Sequence, residues 1–209
     1  METIRNKFNK LCHQPSQMSS TDIYQHLPTL RKYASECESI IELGVRGVVS
    51  TYAFVYGLLN NNSSNKKILL NDIQPCNITE LLQLTTNLKI DIKYEWINDL
   101  DLEIEENYDL TFIDTWHVYG QLKRELEKFS KVTNKYIIMH DTTVDAYKGE
   151  TVRNGWDAKE QSIKTGIPID EINKGLIPAI TEFLESNNNW KIREKFNNNY
   201  GLTILEKIN

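Results

Sequence analysis

The sequence has little of what marks secreted, membrane-spanning or metal-thiolate proteins. Only three of its 209 residues are cysteines; Cys12, Cys37 and Cys76 are odd in number and lack the spacing of a metal site. No stretch approaches the roughly 18 consecutive apolar residues of a membrane span. The N-terminus also has no apolar segment of the kind found in signal peptides. These absences predict a reduced, cytoplasmic protein without a membrane partner.

An excess of positive charge is also absent. The chain has 24 Lys and Arg against 29 Asp and Glu, which gives a formal net charge of −5. Nucleic-acid-binding proteins usually carry a basic excess or a dense basic stripe, so we expect no nucleic-acid partner. The length favours one domain, predicted over residues 39–209, preceded by a helical segment over residues 1–38. The helices of that segment are candidates for a homodimer contact.

Apolar runs of strand length alternate with segments of helical periodicity. Strands are predicted at residues 39–43, 67–71, 90–97, 108–113, 135–139, 190–196 and 202–205, and helices at 49–59, 78–88, 118–129 and 175–185. Residues 142–169 are predicted to be one long polar loop. Ser20-Thr21-Asp22 is predicted to cap an N-terminal helix that Pro28 interrupts. The alternation predicts an α/β fold with a seven-stranded, mostly parallel sheet, helices on both faces and a C-terminal hairpin.

Glycine or polar residues follow each predicted parallel strand. Right-handed crossovers bring the carboxyl ends of such strands to one edge of the sheet, where α/β proteins bind their ligands. The residues predicted at that edge are Gly44, Asp72, Asn98, Asp99, Asp114, His140 and Asp141. This placement indicates a ligand site more clearly than any other feature of the chain.

The turn after the first strand contains Gly44 and Gly47, which let the backbone approach a ligand beside a helix N-terminus. The dinucleotide fingerprint G-x-G-x-x-G is not met, because position 46 is Arg. Asp72 ends the second strand, where a carboxylate can accept hydrogen bonds from ribose hydroxyls. The alternatives are a tight strand-to-helix turn and a turn-forming or helix-capping Asp72.

Two carboxylates and two histidines follow the fourth and fifth strands. If these strands are neighbours, Asp114 and Asp141 converge, and two close carboxylates favour a cation between them. Oxygen ligands suit Mg²⁺ better than Zn²⁺. The alternatives are a helix-capping Asp114, an Asp141 that binds a backbone turn and a solvated His117. In the predicted loop, Lys148, Arg153 and Trp156 are either substrate-binding residues or ordinary loop polarity.

The series Glu-x-Gly-x-x-Gly, Asp72, Asp114-x-x-His117 and His140-Asp141-Thr142 resembles class I S-adenosylmethionine-dependent methyltransferases. More narrowly, it resembles the metal-dependent O-methyltransferases related to cephalosporin hydroxylase and macrolide sugar O-methyltransferases. The resemblance spans roughly residues 36–207 and implies a Rossmann-like fold that an antiparallel hairpin closes. It implies a cofactor-binding set of Glu42, Gly44, Arg46, Gly47, Ser50, Asp72, Ile73, Asn98, Asp99, Asp114 and Trp116.

The resemblance also implies a general base, His117, and a metal site formed by Asp114, His140 and Asp141. Relatives often have an acidic residue where this chain has His140. Bound Mg²⁺ lowers the pKa of a hydroxyl, which lets a histidine accept its proton at neutral pH. The chain is therefore expected to O-methylate a small polyhydroxylated acceptor, such as a glycan or nucleotide-linked sugar. An NAD-dependent oxidoreductase and an inactive binding protein of the same fold are the alternatives.

Overall fold

The computed structural model describes residues 1–13 and 22–208. Its strands are β1 (Ser39–Leu43), β2 (Lys66–Asp72), β3 (Ile90–Trp96), β4 (Tyr108–Ile113), β5 (Thr133–His140), β6 (Trp190–Phe196) and β7 (Leu202–Lys207). The α-helices in the described residues are α1 (Glu2–His13), α2 (Leu27–Ser35), α3 (Val49–Leu59), α4 (Thr79–Thr85), α5 (Tyr119–Phe129), α6 (Glu150–Asn154), α7 (Ala158–Thr165), α8 (Ile169–Asn173) and α9 (Leu176–Ser186).

The strands form one seven-stranded sheet in the order β3-β2-β1-β4-β5-β7-β6. Strand β1 pairs in parallel with β2 and β4, and β2 pairs in parallel with β3. Strand β7 runs antiparallel to both β5 and β6. The predicted mostly parallel, Rossmann-like sheet with an antiparallel C-terminal hairpin is confirmed.

The prediction of one long loop over residues 142–169 is wrong, because two short helices, α6 and α7, lie within this range and a third, α8, begins at its last residue. Asp157 begins α7 by accepting hydrogen bonds from the backbone N–H groups of Lys159 and Glu160. Left-handed glycines, Gly155 and Gly166, end α6 and α7. Helices of five to eight residues are too short for their periodicity to stand out among polar residues.

Two predicted helices also have different bounds. Residues 78–88 were predicted as one helix, but α4 covers only Thr79–Thr85. Pro28 lies in the first turn of α2, where its missing N–H costs nothing, so it starts this helix instead of interrupting it. Ser20 and Thr21 of the predicted cap lie outside the described residues.

Residues 1–113 form one compact unit. Helix α3 is buried on nearly all sides, and it packs on α2, on α1 and on strands β1 and β2. The α2 contact is close, since a Cβ on Gly57 would overlap Ala34. The Phe54 and Phe112 rings pack 5.2 Å apart between their centroids. This core fixes the carboxyl ends of β1 and β2.

Residues 114–209 form a second compact unit. Helix α5 packs against α9 and α8, and Val118, Ile167 and Ile172 form a buried apolar cluster that Trp116 covers. This cluster anchors the segment that precedes α5. The predicted boundary between residues 38 and 39 stays a prediction, since the first unit includes both sides of it.

Two further absences concern the described residues alone. Within them, no helix combines the length and the apolar character that crossing a membrane requires. Cys12, Cys37 and Cys76 all lie in described segments, and none forms a disulfide.

Candidate functional site

The turn between β1 and α3 has an unusual backbone. Gly44, Arg46 and Val48 all have left-handed φ angles, of 87°, 42° and 61°. This conformation is unfavourable for a branched residue such as Val48, so neighbouring contacts must impose it. Val48 is the N-cap of α3 and its side chain offers no acceptor for the first N–H groups of that helix. These N–H groups are donors that an anionic or polar ligand group can use.

Asp72 holds this turn in place. Its Oδ2 accepts hydrogen bonds from the N–H of Val45, at 3.0 Å, and of Arg46, at 2.8 Å. Its Oδ1 accepts a hydrogen bond from the N–H of Gln74, at 2.8 Å. The alternative in which Asp72 forms a turn is therefore correct. Each carboxylate oxygen has two lone pairs, so these bonds leave one lone pair, on Oδ1, that can accept a hydrogen bond from a ligand.

Glu42 also stabilises the turn between β1 and α3. It is fully buried in β1 and accepts a hydrogen bond from the Ser50 hydroxyl in the first turn of α3. The bond ties the end of β1 to the start of α3. Both residues were predicted from the sequence to bind the cofactor, and here they set the shape of the turn.

The ends of β2 and β3 each contribute a residue that was not predicted from the sequence, Asn71 and Trp96. Buried Asn71 donates from Nδ2 to the backbone oxygens of Glu95, at 3.1 Å, and Ile97, at 2.9 Å. The Trp96 indole donates to the Ile73 oxygen at 3.0 Å. Trp96 and Ile73 are nevertheless 63% and 67% exposed. Large apolar side chains left exposed beside Asp72 suit a planar ring. In the sequence, the only indication of a role for Asn71 is that it is a polar residue within an apolar strand.

Asn98 and Asp99, which were predicted near the cofactor, follow β3 directly. The Asn98 Oδ1 accepts a hydrogen bond from the Leu100 N–H at 3.0 Å and so starts a short 3-10 turn. Asp99 is buried in that turn. Asn98 therefore shapes the loop after β3, and its predicted contact with adenine stays a prediction.

In residues 114–209, His117 lies among four carboxylates. Its Nε2 is 3.2 Å from Asp114 Oδ1 and 3.1 Å from Asp141 Oδ2. Its Nδ1 is 3.3 Å from Asp145 Oδ2 and 3.6 Å from Glu150 Oε2. The alternatives of a solvated His117 and a helix-capping Asp114 are wrong, because this ring is largely enclosed and Val118 is the N-cap of α5.

The backbone around His117 is held from two sides. The Glu150 N–H donates to the His117 oxygen at 2.9 Å, and the His117 N–H points back at Glu150 Oε2 at 3.4 Å. The hydroxyl of Thr115 donates to the buried carboxylate of Glu125 in α5. The Trp116 indole donates to the Thr151 hydroxyl at 3.2 Å. The imidazole therefore sits on a rigid support.

His140, at the end of β5, is only 1% exposed. Its Nδ1 lies 3.5 Å from Asp114 Oδ1 and 3.4 Å from Asp141 Oδ2. Its Nε2 lies 3.1 Å from the Asn199 carbonyl in the β6–β7 turn. Asp141 itself has a left-handed φ of 57°, a strained conformation that directs its carboxylate to the same two rings.

Asp145 is fully buried and forms a two-pronged ion pair with Arg153. Arg153 Nε donates to Oδ1 at 2.7 Å, and Nη2 donates to Oδ2 at 2.9 Å. Such paired bonds fix the plane of a carboxylate. Asp145 was not predicted from the sequence, where its spacing of four residues from Asp141 was the only indication of a role.

The charges in this cluster shift each other's pKa values. Burial by itself would lower the pKa of both histidines. The carboxylates outweigh it, so the pKa of His117 lies well above its usual value and that of His140 rises to about 10. Despite burial, His140 and His117 hold the pKa of Asp114 below its usual range. His117 and Arg153 do the same for the pKa of Asp145.

Three of the predicted ligands form a group that could hold a metal ion. One atom each from Asp114, His140 and Asp141 lie within 4.8 Å of one another. The set combines two carboxylate oxygens with one imidazole nitrogen, a chemistry that fits a divalent cation. The residues predicted for the metal are thus brought together.

The residues predicted to bind substrate have different surroundings. Lys148 is exposed, and its backbone bridges to Lys174. Arg153 is engaged by Asp145, whereas Trp156 is 48% exposed between α6 and α7. Their contact with a substrate stays a prediction. So does the cofactor contact of Trp116, which covers the apolar cluster at Val118.

Solved structures resemble this one over nearly the whole chain. A putative O-methyltransferase from Klebsiella pneumoniae is 15% identical; the match covers 99% of this chain and 90% of that chain, with a TM-score of 0.58. The N-methyltransferase NodS from Bradyrhizobium japonicum WM9, in complex with S-adenosyl-L-homocysteine, is 14% identical over 98% of both chains, with a TM-score of 0.57. The O-methyltransferase TomG from Streptomyces achromogenes, involved in tomaymycin synthesis and in complex with S-adenosylmethionine, is 10% identical over 97% of this chain and 90% of that chain, with a TM-score of 0.55.

No protein-family model and no curated protein matches the sequence. At identities of 10% to 15%, the structural likeness concerns the fold. The strand order, the parallel pairing and the antiparallel β7 agree with it. The chain therefore has the Rossmann-like fold of S-adenosylmethionine-dependent methyltransferases.

Proposed function

We propose that the chain is an S-adenosylmethionine-dependent O-methyltransferase that acts on a small polyhydroxylated acceptor, such as a glycan or nucleotide-linked sugar. The observation that carries the proposal is His117, a largely enclosed imidazole with carboxylates at both nitrogens, in a chain with a methyltransferase fold. A hydroxyl acceptor requires removal of a proton, and a firmly supported imidazole is suited to that task.

The residues of the first unit would hold the cofactor. The turn at Gly44 and Gly47 presents backbone and helix N–H groups to the methionine part. Asp72 keeps one lone pair, on Oδ1, for a ribose hydroxyl. The exposed side chains of Ile73 and Trp96 would contact the adenine ring. The methyltransferases NodS and TomG, whose solved structures contain S-adenosylhomocysteine and S-adenosylmethionine, support this choice of cofactor.

In the reaction, the acceptor oxygen attacks the methyl carbon while the carbon–sulfur bond breaks, and its electron pair stays on sulfur. The hydroxyl proton would pass to Nε2 of His117 in its neutral form. Charge compensation of Asp114 and Asp141 by a bound cation would favour that form, because these two carboxylates raise the pKa of His117. Asp145 fixes the opposite side of the ring through Nδ1, and Arg153 fixes Asp145. A divalent cation held by Asp114, His140 and Asp141, predicted from the sequence to be Mg²⁺, would lower the pKa of the acceptor hydroxyl.

Two exposed side chains support the choice of a sugar or sugar-phosphate acceptor. Trp156 offers an exposed indole face on which the apolar face of a sugar ring can stack, and Lys148 offers an exposed ammonium for a phosphate. Both lie near the ends of α6, the element that supports His117 through Glu150.

We also propose a cytoplasmic location and a homodimer formed through the N-terminal helices.

Thermal melting of the full chain tests the cofactor. A ligand at 100 times its dissociation constant adds about 2.7 kcal/mol, which raises the midpoint by several degrees. We expect this shift with S-adenosylmethionine and S-adenosylhomocysteine and none with NAD. A shift with NAD alone contradicts the proposal and favours an oxidoreductase. Cofactor binding without release of S-adenosylhomocysteine across a panel of hydroxylated acceptors favours an inactive binding protein.

A further inference from the structure

The identity of the metal follows from the ligand atoms of the proposed site. We infer that Asp114, His140 and Asp141 take an imidazole-binding transition-metal dication, such as Fe²⁺, Co²⁺ or Zn²⁺, in preference to Mg²⁺. The inference rests on the proposed function and sharpens the metal assignment of that same site. It differs from the sequence-based prediction of Mg²⁺, which weighed the two carboxylates above the histidine.

The three ligand atoms already converge. Nδ1 of His140 is 3.5 Å from Asp114 Oδ1 and 3.4 Å from Asp141 Oδ2, and the group of three spans at most 4.8 Å. Ligand atoms on a common ion lie at most about 4.4 Å apart, since bonds of about 2.0 to 2.2 Å join each of them to the metal. Both separations from His140 are already within this limit. No large movement of the chain is therefore needed to place an ion among them.

The orientation of His140 is set by a group outside the cluster. Its Nε2 lies 3.1 Å from the backbone oxygen of Asn199. A carbonyl oxygen can only accept, so Nε2 must carry the proton, and the lone pair of the neutral ring is on Nδ1. Nδ1 is the atom that faces Asp114 and Asp141. Metal-ligating histidines typically donate their other N–H to a carbonyl or carboxylate in this way.

The nitrogen ligand decides the selectivity. Mg²⁺ prefers oxygen ligands and gives up its water reluctantly, whereas imidazole suits Zn²⁺, Fe²⁺ and their neighbours. His140 is 1% exposed, so the ring cannot readily swing away and leave its place to a water molecule. An ion at Asp114 and Asp141 must therefore accept a nitrogen beside it.

The competing interpretation is an ion-pair cluster that holds no metal. His117 Nε2 also contacts the two carboxylates, at 3.2 Å and 3.1 Å. The positive charges of two protonated imidazoles would then balance the negative charges of Asp114 and Asp141 without any metal ion. This interpretation predicts that no divalent ion binds at the cluster, so direct metal titration separates the two.

The experiment uses the full, tag-free chain after treatment with a chelator. Calorimetric titrations with Zn²⁺, Co²⁺ and Mg²⁺ are expected to show Zn²⁺ and Co²⁺ binding at least about 100-fold more tightly than Mg²⁺. Bound Co²⁺ is also expected to give visible absorption bands that report nitrogen ligation. Mg²⁺ that binds as tightly as Zn²⁺, or no binding by any of the three ions, overturns the inference.

Variants locate the effect. His140→Asp restores an all-oxygen set, so we expect Co²⁺ and Zn²⁺ affinity to fall about 10- to 100-fold and the preference to shift towards Mg²⁺. Asp141→Asn removes a ligand and suits the left-handed backbone there, so it should weaken every metal. His13→Asn, at an exposed histidine of α1, is the matched control and should change nothing.

The outcomes remain distinct from a failure of the proposed function. S-adenosylhomocysteine binding is measured on the same samples without metal. If His140→Asp does not fold, the wild-type selectivity and Asp141→Asn still decide the question. Unchanged Co²⁺ affinity and absorption in a folded His140→Asp or Asp141→Asn variant overturns the inference while leaving the cofactor proposal intact. If the wild-type chain binds metal as expected but does not bind S-adenosylhomocysteine, the proposed function is wrong and the inference about the metal still holds.

Discussion

The turn at Gly44 and the cluster around His117 solve the problem of a ligand site in different ways. The first is built mostly from backbone, with Asp72 accepting three N–H groups over a short stretch of turns. The second is built from charged side chains that three separate segments supply, including Asp141, Asp145 and Arg153. The first depends on conformation and the second on charge balance.

The difference has energetic consequences. A turn closed by backbone hydrogen bonds costs little to bury, because each donor keeps an acceptor. Buried charges such as Asp145 and His140 must be paired, and removal of one partner leaves another uncompensated. We therefore expect substitutions in the turn to change ligand affinity, and substitutions in the cluster to change both catalysis and stability.

The largest effect is expected for His117→Ala. Loss of the general base should lower turnover by about 10²- to 10⁴-fold while S-adenosylhomocysteine binds as in the wild type. Turnover is followed as release of S-adenosylhomocysteine and binding by calorimetry. His13→Ala, at an exposed residue of α1, is the control. Full activity in His117→Ala removes this residue as the base.

Asp72→Ala should produce the next largest effect, on the cofactor alone. Loss of hydrogen bonds to a charged acceptor, at about 1.5 to 3 kcal/mol each, should weaken S-adenosylhomocysteine binding roughly 100-fold. The melting temperature should also fall, since three N–H groups lose their acceptor. Metal affinity should not change. Asp91→Ala, exposed on β3, is the control; equal cofactor affinity in Asp72→Ala contradicts the predicted role.

Arg153→Met separates support of the base from substrate binding. Without its partner, Asp145 no longer fixes His117, so kcat should fall by up to about 100-fold with KM nearly unchanged. Arg153→Lys keeps the charge but not the paired geometry, so we expect partial activity. A raised KM at constant kcat would instead support the predicted substrate contact. Arg193→Met, in an exposed ion pair with Glu206, is the control.

The smallest effect is expected for Trp156→Ala. Its indole is half exposed, so stability should change by no more than about 0.5 kcal/mol. The KM for a sugar acceptor should rise a few-fold at constant kcat, because a stacking surface is lost. Ile163→Ala, at a more exposed apolar residue of α7, is the control. An unchanged KM in Trp156→Ala indicates ordinary loop polarity at this position.

Much of the first region could be predicted from the sequence, because its determinants are local. An apolar run that stops at Gly44 and another that ends at Asp72 define two parallel strands and the turn between them. Asn71 and Trp96 were missed. A single amide or indole in a strand has no periodic signal, and its hydrogen bonds to β3 and Ile73 depend on strand register.

The second region was predicted only in part. The residues Asp114, His117, His140 and Asp141 stood out because they follow predicted strands. Helices α6 and α7 were predicted as part of a loop. The contacts by which Glu150 and Arg153 of α6 support His117 and Asp145 were therefore not predicted. Short helices gain their stability from packing, here around Val118 and Ile172, and not from their own sequence.

Hydrophobic periodicity and glycine placement are local properties, so the strands, the longer helices of the sheet, the mostly parallel pairing and the residues at the strand ends could be predicted from the sequence. Which side chains meet follows only from the tertiary fold. The contacts of His117 with Asp145, of Arg153 with Asp145 and of His140 with Asn199 join residues 8 to 59 positions apart. Their charges and hydrogen bonds interact strongly only when folding excludes water around them, because the local dielectric constant is then low.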